Sequence, residues 1–85
     1  MKMPYKFFQD IDTLMDDTPD IPMSLKANIM SQCDNLIHDK EVINGNIEVD
    51  ENKMNDLFDT IRKTTDIKLF ILAAQTKKEI PVINV

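Results

Sequence analysis

Glycine, cysteine, histidine and tryptophan are almost missing from this chain: among 85 residues there is one Gly, one Cys, one His and no Trp. A single Gly cannot build a phosphate-cradling loop or a dinucleotide fingerprint, both of which need several glycines at set spacing. Cys33 has no partner for an internal disulfide, and with His38 as the only imidazole a zinc site lacks ligands. A chain with so little cysteine fits a reducing, cytoplasmic setting. Long apolar runs are missing too. The longest, Leu69 to Ala74, is far too short to span a bilayer. The start, Met1-Lys2-Met3-Pro4-Tyr5-Lys6, leads into no stretch of signal-peptide length. The expectation is a protein with no membrane partner, no metal and no cofactor.

Acid is what the chain has in excess. The formal charge is −5. Residues 1–42 carry 4 Lys+Arg against 8 Asp+Glu and the remainder 6 against 7, so the balances of −4 and −1 put most of the excess in the first half. This disfavours general nucleic-acid binding, where neutralising phosphates supplies most of the affinity, and suits a basic partner or plain solubility. Apolar residues at 42% and charged residues at 29% describe a globular chain rather than a disordered one. At this length the core is thin, because only about 60–65% of the unfolded surface is buried on folding, and a second copy would help to stabilise it.

The chain turns on Asp16-Asp17-Thr18-Pro19-Asp20-Ile21-Pro22, a polar corner between two apolar stripes. Phe7, Phe8, Ile11, Leu14 and Met15 recur at helical spacing before it, and Leu25, Ile29, Met30, Cys33, Leu36 and Ile37 after it. Pro4 suits the first turn of one helix and Pro22 an early position of the next. A third stripe, Met54, Leu57, Phe58 and Ile61, follows Asp50, a good N-cap. A fourth segment, Ile67 to Ala74, follows Asp66, another N-cap, and is apolar nearly all round apart from Lys68. The expected fold is all-α: a single domain with a helical hairpin over 4–38, a loop over 39–50, a second hairpin over 51–80 and an extended tail over 81–85. Within the loop, Val42-Ile43-Asn44-Gly45-Asn46-Ile47 reads either as a two-residue β-hairpin, since Asn-Gly suits a type I′ turn, or as an irregular connection. The β-prone tail either pairs with the region around Val42–Val49 or stays loose.

Asp12-Thr13-Leu14 aligns with Asp59-Thr60-Ile61, and Asp20-Ile21 with Asp66-Ile67 once Pro19 is skipped. That is a repeat of about 47 residues, the period of two-helix HEAT and armadillo units, in which one hairpin covers the apolar face of the next. Coincidence in a chain rich in Asp, Thr and Ile is the competing explanation.

The segment Ile11-Asp12-Thr13-Leu14-Met15-Asp16-Asp17-Thr18, with Ile21-Pro22 and then Lys26, resembles the first repeat of the archaeal uncharacterised protein family 0147. The resemblance covers about 30 residues of the first half. It implies a small all-helical two-repeat fold and no particular activity, the family having none established. The second half departs from the family pattern: Thr64-Thr65-Asp66-Ile67 contains no proline, and a tryptophan expected near the end is absent.

Chemistry-bearing constellations are scarce. Asp10, Asp12, Asp16, Asp17 and Asp20 lack the spacing and the turn glycine of a calcium loop. His38, with Asp34 four residues before it, reads as a capping or surface residue, and Cys33, on an apolar stripe, as a buried thiol. The chain is therefore expected not to be an enzyme. Three surfaces remain. Ile67, Leu69, Phe70 and Leu72 are expected to face a protein partner or a second subunit. Arg62, Lys63, Lys77 and Lys78 form a candidate basic face for RNA or a ribonucleoprotein, without interleaved aromatics for base stacking. Asp12, Asp16, Asp17 and Asp20 form a candidate acidic face that would suit a regulator or inhibitor of a basic site.

Overall fold

All four apolar stripes become buried faces of helices. The computed structural model describes residues 1–64 and 66–79. The order of elements is β1 (Lys2–Pro4), α1 (Tyr5–Asp17), α2 (Met23–Ile37), β2 (Asn46–Glu48), α3 (Glu51–Arg62) and α4 (Ile67–Glu79). Among the described residues the fold is mostly α, a four-helix array with one small two-stranded sheet. α1 packs on α2 and α4, and α3 packs on α2 and α4, so the two hairpins lie against each other and share one interior. Phe7, Phe8, Ile11 and Met15 of α1 meet Ile29, Cys33 and Leu36 of α2, and Met54, Leu57, Phe58 and Ile61 of α3, in a single core. The aromatic centre is Phe7, with its ring centroid 5.5 Å from that of Phe8 and 5.8 Å from that of Phe58, within the range of favourable edge-on packing.

The corners follow from their caps. Asp50 Oδ1 accepts from the Lys53 N–H at 3.0 Å at the start of α3, and Asp66 Oδ1 accepts from the Leu69 N–H at 3.0 Å at the start of α4. Each satisfies a donor that the first helical turn leaves free. At α2 the cap position is Pro22, whose extended backbone turns the chain into the helix with no side-chain hydrogen bond. Pro4 likewise stands at the N-cap of α1, just ahead of the first turn, and ends strand β1.

β1 is the element that sequence patterning did not predict. It pairs antiparallel with β2, in the register Lys2 with Glu48, Met3 with Ile47 and Pro4 with Asn46. Met3 and Ile47 are both buried, so this pair adds the inward face of the sheet to the core. The 39–50 loop therefore contains a strand whose principal partner is the chain start. The Asn-Gly turn is present as well: Asn44 and Gly45 both have positive φ, at 53° and 77°, and Ile43 and Asn46 exchange backbone hydrogen bonds of 2.8 and 3.0 Å across it. This is type I′ geometry, but it continues into only one bridge. The expected tail over 81–85 lies outside the described residues.

Among the described residues one polar link runs between the helices of the two hairpins. Gln32 Nε2 on α2 donates to Thr60 Oγ1 on α3 at 2.8 Å, and Thr60 Oγ1 donates to the Asp56 carbonyl at 2.9 Å. Among the described residues the Gln32 Oε1 is buried without a hydrogen-bond partner.

Candidate functional site

The apolar stretch of α4 divides between core and solvent. Leu69 is 0% exposed, which corrects its expected place on an outer surface. With 3.6 residues per turn, Leu69, Ala73 and Thr76 share the inward face. Leu72 is half-buried against the core. The outward strip is Ile67, Phe70 and Ile71, with Ile67 71% exposed. Ile71 belongs to this strip and Leu69 does not, a distinction that an all-apolar run conceals.

The four basic residues are exposed. Arg62 donates to Asp59 Oδ1 at 2.8 Å, and the Lys77 ammonium lies 4.7 Å from the centre of the Phe58 ring. One cation thus faces a carboxylate and another an aromatic face. His38 is exposed and lies 3.1 Å from Asp39.

All four aspartates of the candidate acidic face, Asp12, Asp16, Asp17 and Asp20, are exposed. Asp12 and Asp16 occupy a distinctive position, because they line a shallow cleft between α1 and α2. One section, about 400 Å³, is lined by Asp12, Met15, Asp16, Met23, Lys26, Ala27 and Met30. The adjoining section, about 210 Å³, is lined by Tyr5, Phe8, Gln9, Asp12, Met30, Cys33, Asp34 and Ile37. Asp12 and Met30 belong to both, so the cleft follows α1 from Tyr5 to Asp16, a length of about 16 Å at 1.5 Å per residue. The lining is mainly apolar, and its charged groups are three carboxylates and one ammonium.

Cys33 reports on the electrostatics of this cleft. Its thiol is pushed up to about 12, chiefly by burial and in lesser part by the carboxylates of Asp34 and Asp12. Desolvation disfavours the thiolate, and the two anions repel it. The thiol is thereby kept neutral and unreactive, as expected of a buried structural cysteine.

Sequence reasoning placed Met30, Cys33 and Ile37 on a buried stripe and Asp12 and Asp16 on an exposed one. It missed that the edges of both stripes meet in an open seam, and it gave no role to Met23, Lys26 or Asp34 there. Such a seam depends on how far apart two helices sit, which spacing along the chain does not encode. Among the described residues no three His, Cys, Asp or Glu side chains gather as metal ligands, and no helix is long and apolar enough to cross a membrane. No protein-family model, no curated protein and no solved structure matches this chain.

Proposed function

We propose that this protein is a small non-enzymatic helical module that works through protein–protein contacts, one of them with a second copy of itself. The observation that supports this is the outward strip of α4, where Ile67, Phe70 and Ile71 present apolar side chains to solvent. Contiguous apolar surface on a small soluble domain is a common mark of an interaction site. The first-half likeness to family 0147 adds a fold and no role. The test is mass in solution across a wide concentration range. The wild-type chain is expected to self-associate, and Ile71→Asp to remain monomeric with unchanged helicity. A wild-type chain that stays monomeric at the highest concentration removes the self-pairing.

This reading ranks above an accessory role on RNA. The basic residues of the second hairpin are interrupted by the Arg62–Asp59 pair and by the stacking of Lys77 on Phe58, and the net charge is negative. The reading as an acidic regulator of a basic site is favoured by a specific observation, the carboxylate rim of the α1/α2 cleft.

A further inference from the structure

We infer that the cleft between α1 and α2 receives a basic amphipathic helix of a partner protein, with the apolar face of that helix on the methionines and its cations against Asp12, Asp16 and Asp34. The inference rests on the protein-contact reading above and names a second surface for it, on the opposite hairpin from the α4 strip. Three features of the cleft select this occupant. Its length, about 16 Å, matches roughly three turns of helix, and an amphipathic helix laid in a groove anchors through side chains one turn apart. Met15, Met23 and Met30 line one section; unbranched and polarizable, they repack around an incoming side chain. Met23 is 79% exposed, so its side chain gains burial only when something covers it.

Charge decides the sign of the partner. Asp12 and Asp16 stand on the α1 side and Asp34 on the α2 side, against Lys26 alone. Asp12, Cys33 and Asp34 line the same section of the cleft, and both carboxylates raise the pKa of that thiol, so their field reaches the floor of the cleft as well as the solvent. An acidic or neutral helix would leave these carboxylates facing apolar surface or like charge, whereas Lys or Arg on its flanks would complement them. Lys26, at the Met23 end, calls for the partner's own acid or polar residue at that end.

The experiment titrates the full chain with a synthetic amphipathic helix of about 14 residues, with a Leu/Phe face and Lys flanks, and with its charge-reversed twin carrying Glu. Fluorescence anisotropy reads affinity, and amide chemical shifts locate the contact. The Lys peptide is expected to bind with salt-sensitive affinity and to shift residues of α1 and α2, while the Glu twin does not bind. Neutralising the rim with Asp12→Asn, Asp16→Asn and Asp34→Asn together is expected to weaken binding by at least about tenfold. A control of equal charge change, Glu41→Gln with Glu51→Gln and Asp56→Asn, is expected to stay within about twofold. Equal weakening by both triple variants, absence of binding, or shifts confined to α3 and α4 overturns the inference. So does competition between the peptide and self-association, which would make a second copy the occupant. A chain that self-associates through α4 yet ignores the Lys peptide overturns the cleft assignment and leaves the protein-contact reading standing; a chain that does neither removes both.

Discussion

At the corner between α1 and α2, Ile21 is 5% exposed and sits in the shared core; at the aligned place between α3 and α4, Ile67 is 71% exposed and opens the outer strip of α4. The neighbouring aspartates differ as well. Asp66 caps α4 through the Leu69 N–H, whereas Asp20 precedes a helix that starts at Met23 behind Pro22. Thr18 closes α1 by donating from Oγ1 to the Leu14 carbonyl at 2.8 Å, and Thr64 donates to the Ile61 carbonyl at 2.7 Å. The same Asp-Ile pair thus does two jobs. Where Pro19 and Pro22 flank the turn, the isoleucine is left between the helices and folds inward as an anchor. Where no proline stands, the aspartate can cap at once, and the isoleucine becomes the first helical residue, facing water.

This contrast has measurable consequences. Ile21→Ala is expected to lower stability by about 2–3 kcal/mol, as for other buried large-to-small changes, while Ile67→Ala stays within about 0.5 kcal/mol. Urea unfolding of the two variants checks this, and equal losses would mean that the corners are alike after all. The caps reverse the ranking. Asp66→Ala is expected to cost about 1 kcal/mol and Asp20→Ala less than about 0.5 kcal/mol, again by urea midpoint. Helix α2 also ends less comfortably than helix α3. Asp39, just past α2, has a φ of 56°, whereas Lys63, past α3, keeps helical geometry. Asp39→Gly is expected to raise the melting temperature slightly, by a gain of about 0.5 kcal/mol, because glycine accepts the left-handed region freely.

The smallest effect concerns the strand that ties the chain start to the loop between the hairpins. The Met1 ammonium donates to Glu48 Oε1 at 2.7 Å, and this hydrogen bond, with the ammonium's charge, holds the Glu48 carboxyl below its usual range of about 4.5. A carboxyl with a depressed folded pKa stabilises the fold above its unfolded value and loses that contribution as pH falls through the folded one. Glu48→Gln is therefore expected to lose a small amount of stability at neutral pH, where the carboxylate is ionised and paired, and to match the wild type well below about pH 4.5, which flattens the acid limb of a stability-against-pH curve; the effect is small because the carboxylate is exposed.

Much of this architecture was legible in the sequence. Stripes such as Phe7, Phe8, Ile11 and Met15 have only one solution, a helix with that face inward, and Asp50 and Asp66 stand where an exposed carboxylate can satisfy helix donors. β1 was not legible. Lys2-Met3-Pro4 is short, ends in proline and shows no alternation, and it becomes a strand because Ile47 and Val49, far along the chain, offer a backbone edge: Val49 N–H donates to the Met1 carbonyl at 2.8 Å and Tyr5 N–H to the Gly45 carbonyl at 2.9 Å. The facing of Leu69 was not legible either, because an all-apolar run has no polar side to mark its outside. The candidate cleft was half legible, in that its aspartates stood out as surface groups while the seam they border exists only once two helices are set side by side.

The strand pairing of the chain start with the linker has a consequence for how the halves hold together. A cut anywhere between Asp39 and Ile43 would separate two fragments that still meet along α2 with α3, along α1 with α4 and along β1 with β2. Only the contacts inside each hairpin are independent of the other piece. Separately produced fragments are thus placed to reassemble without a covalent bridge, each a template for its complement.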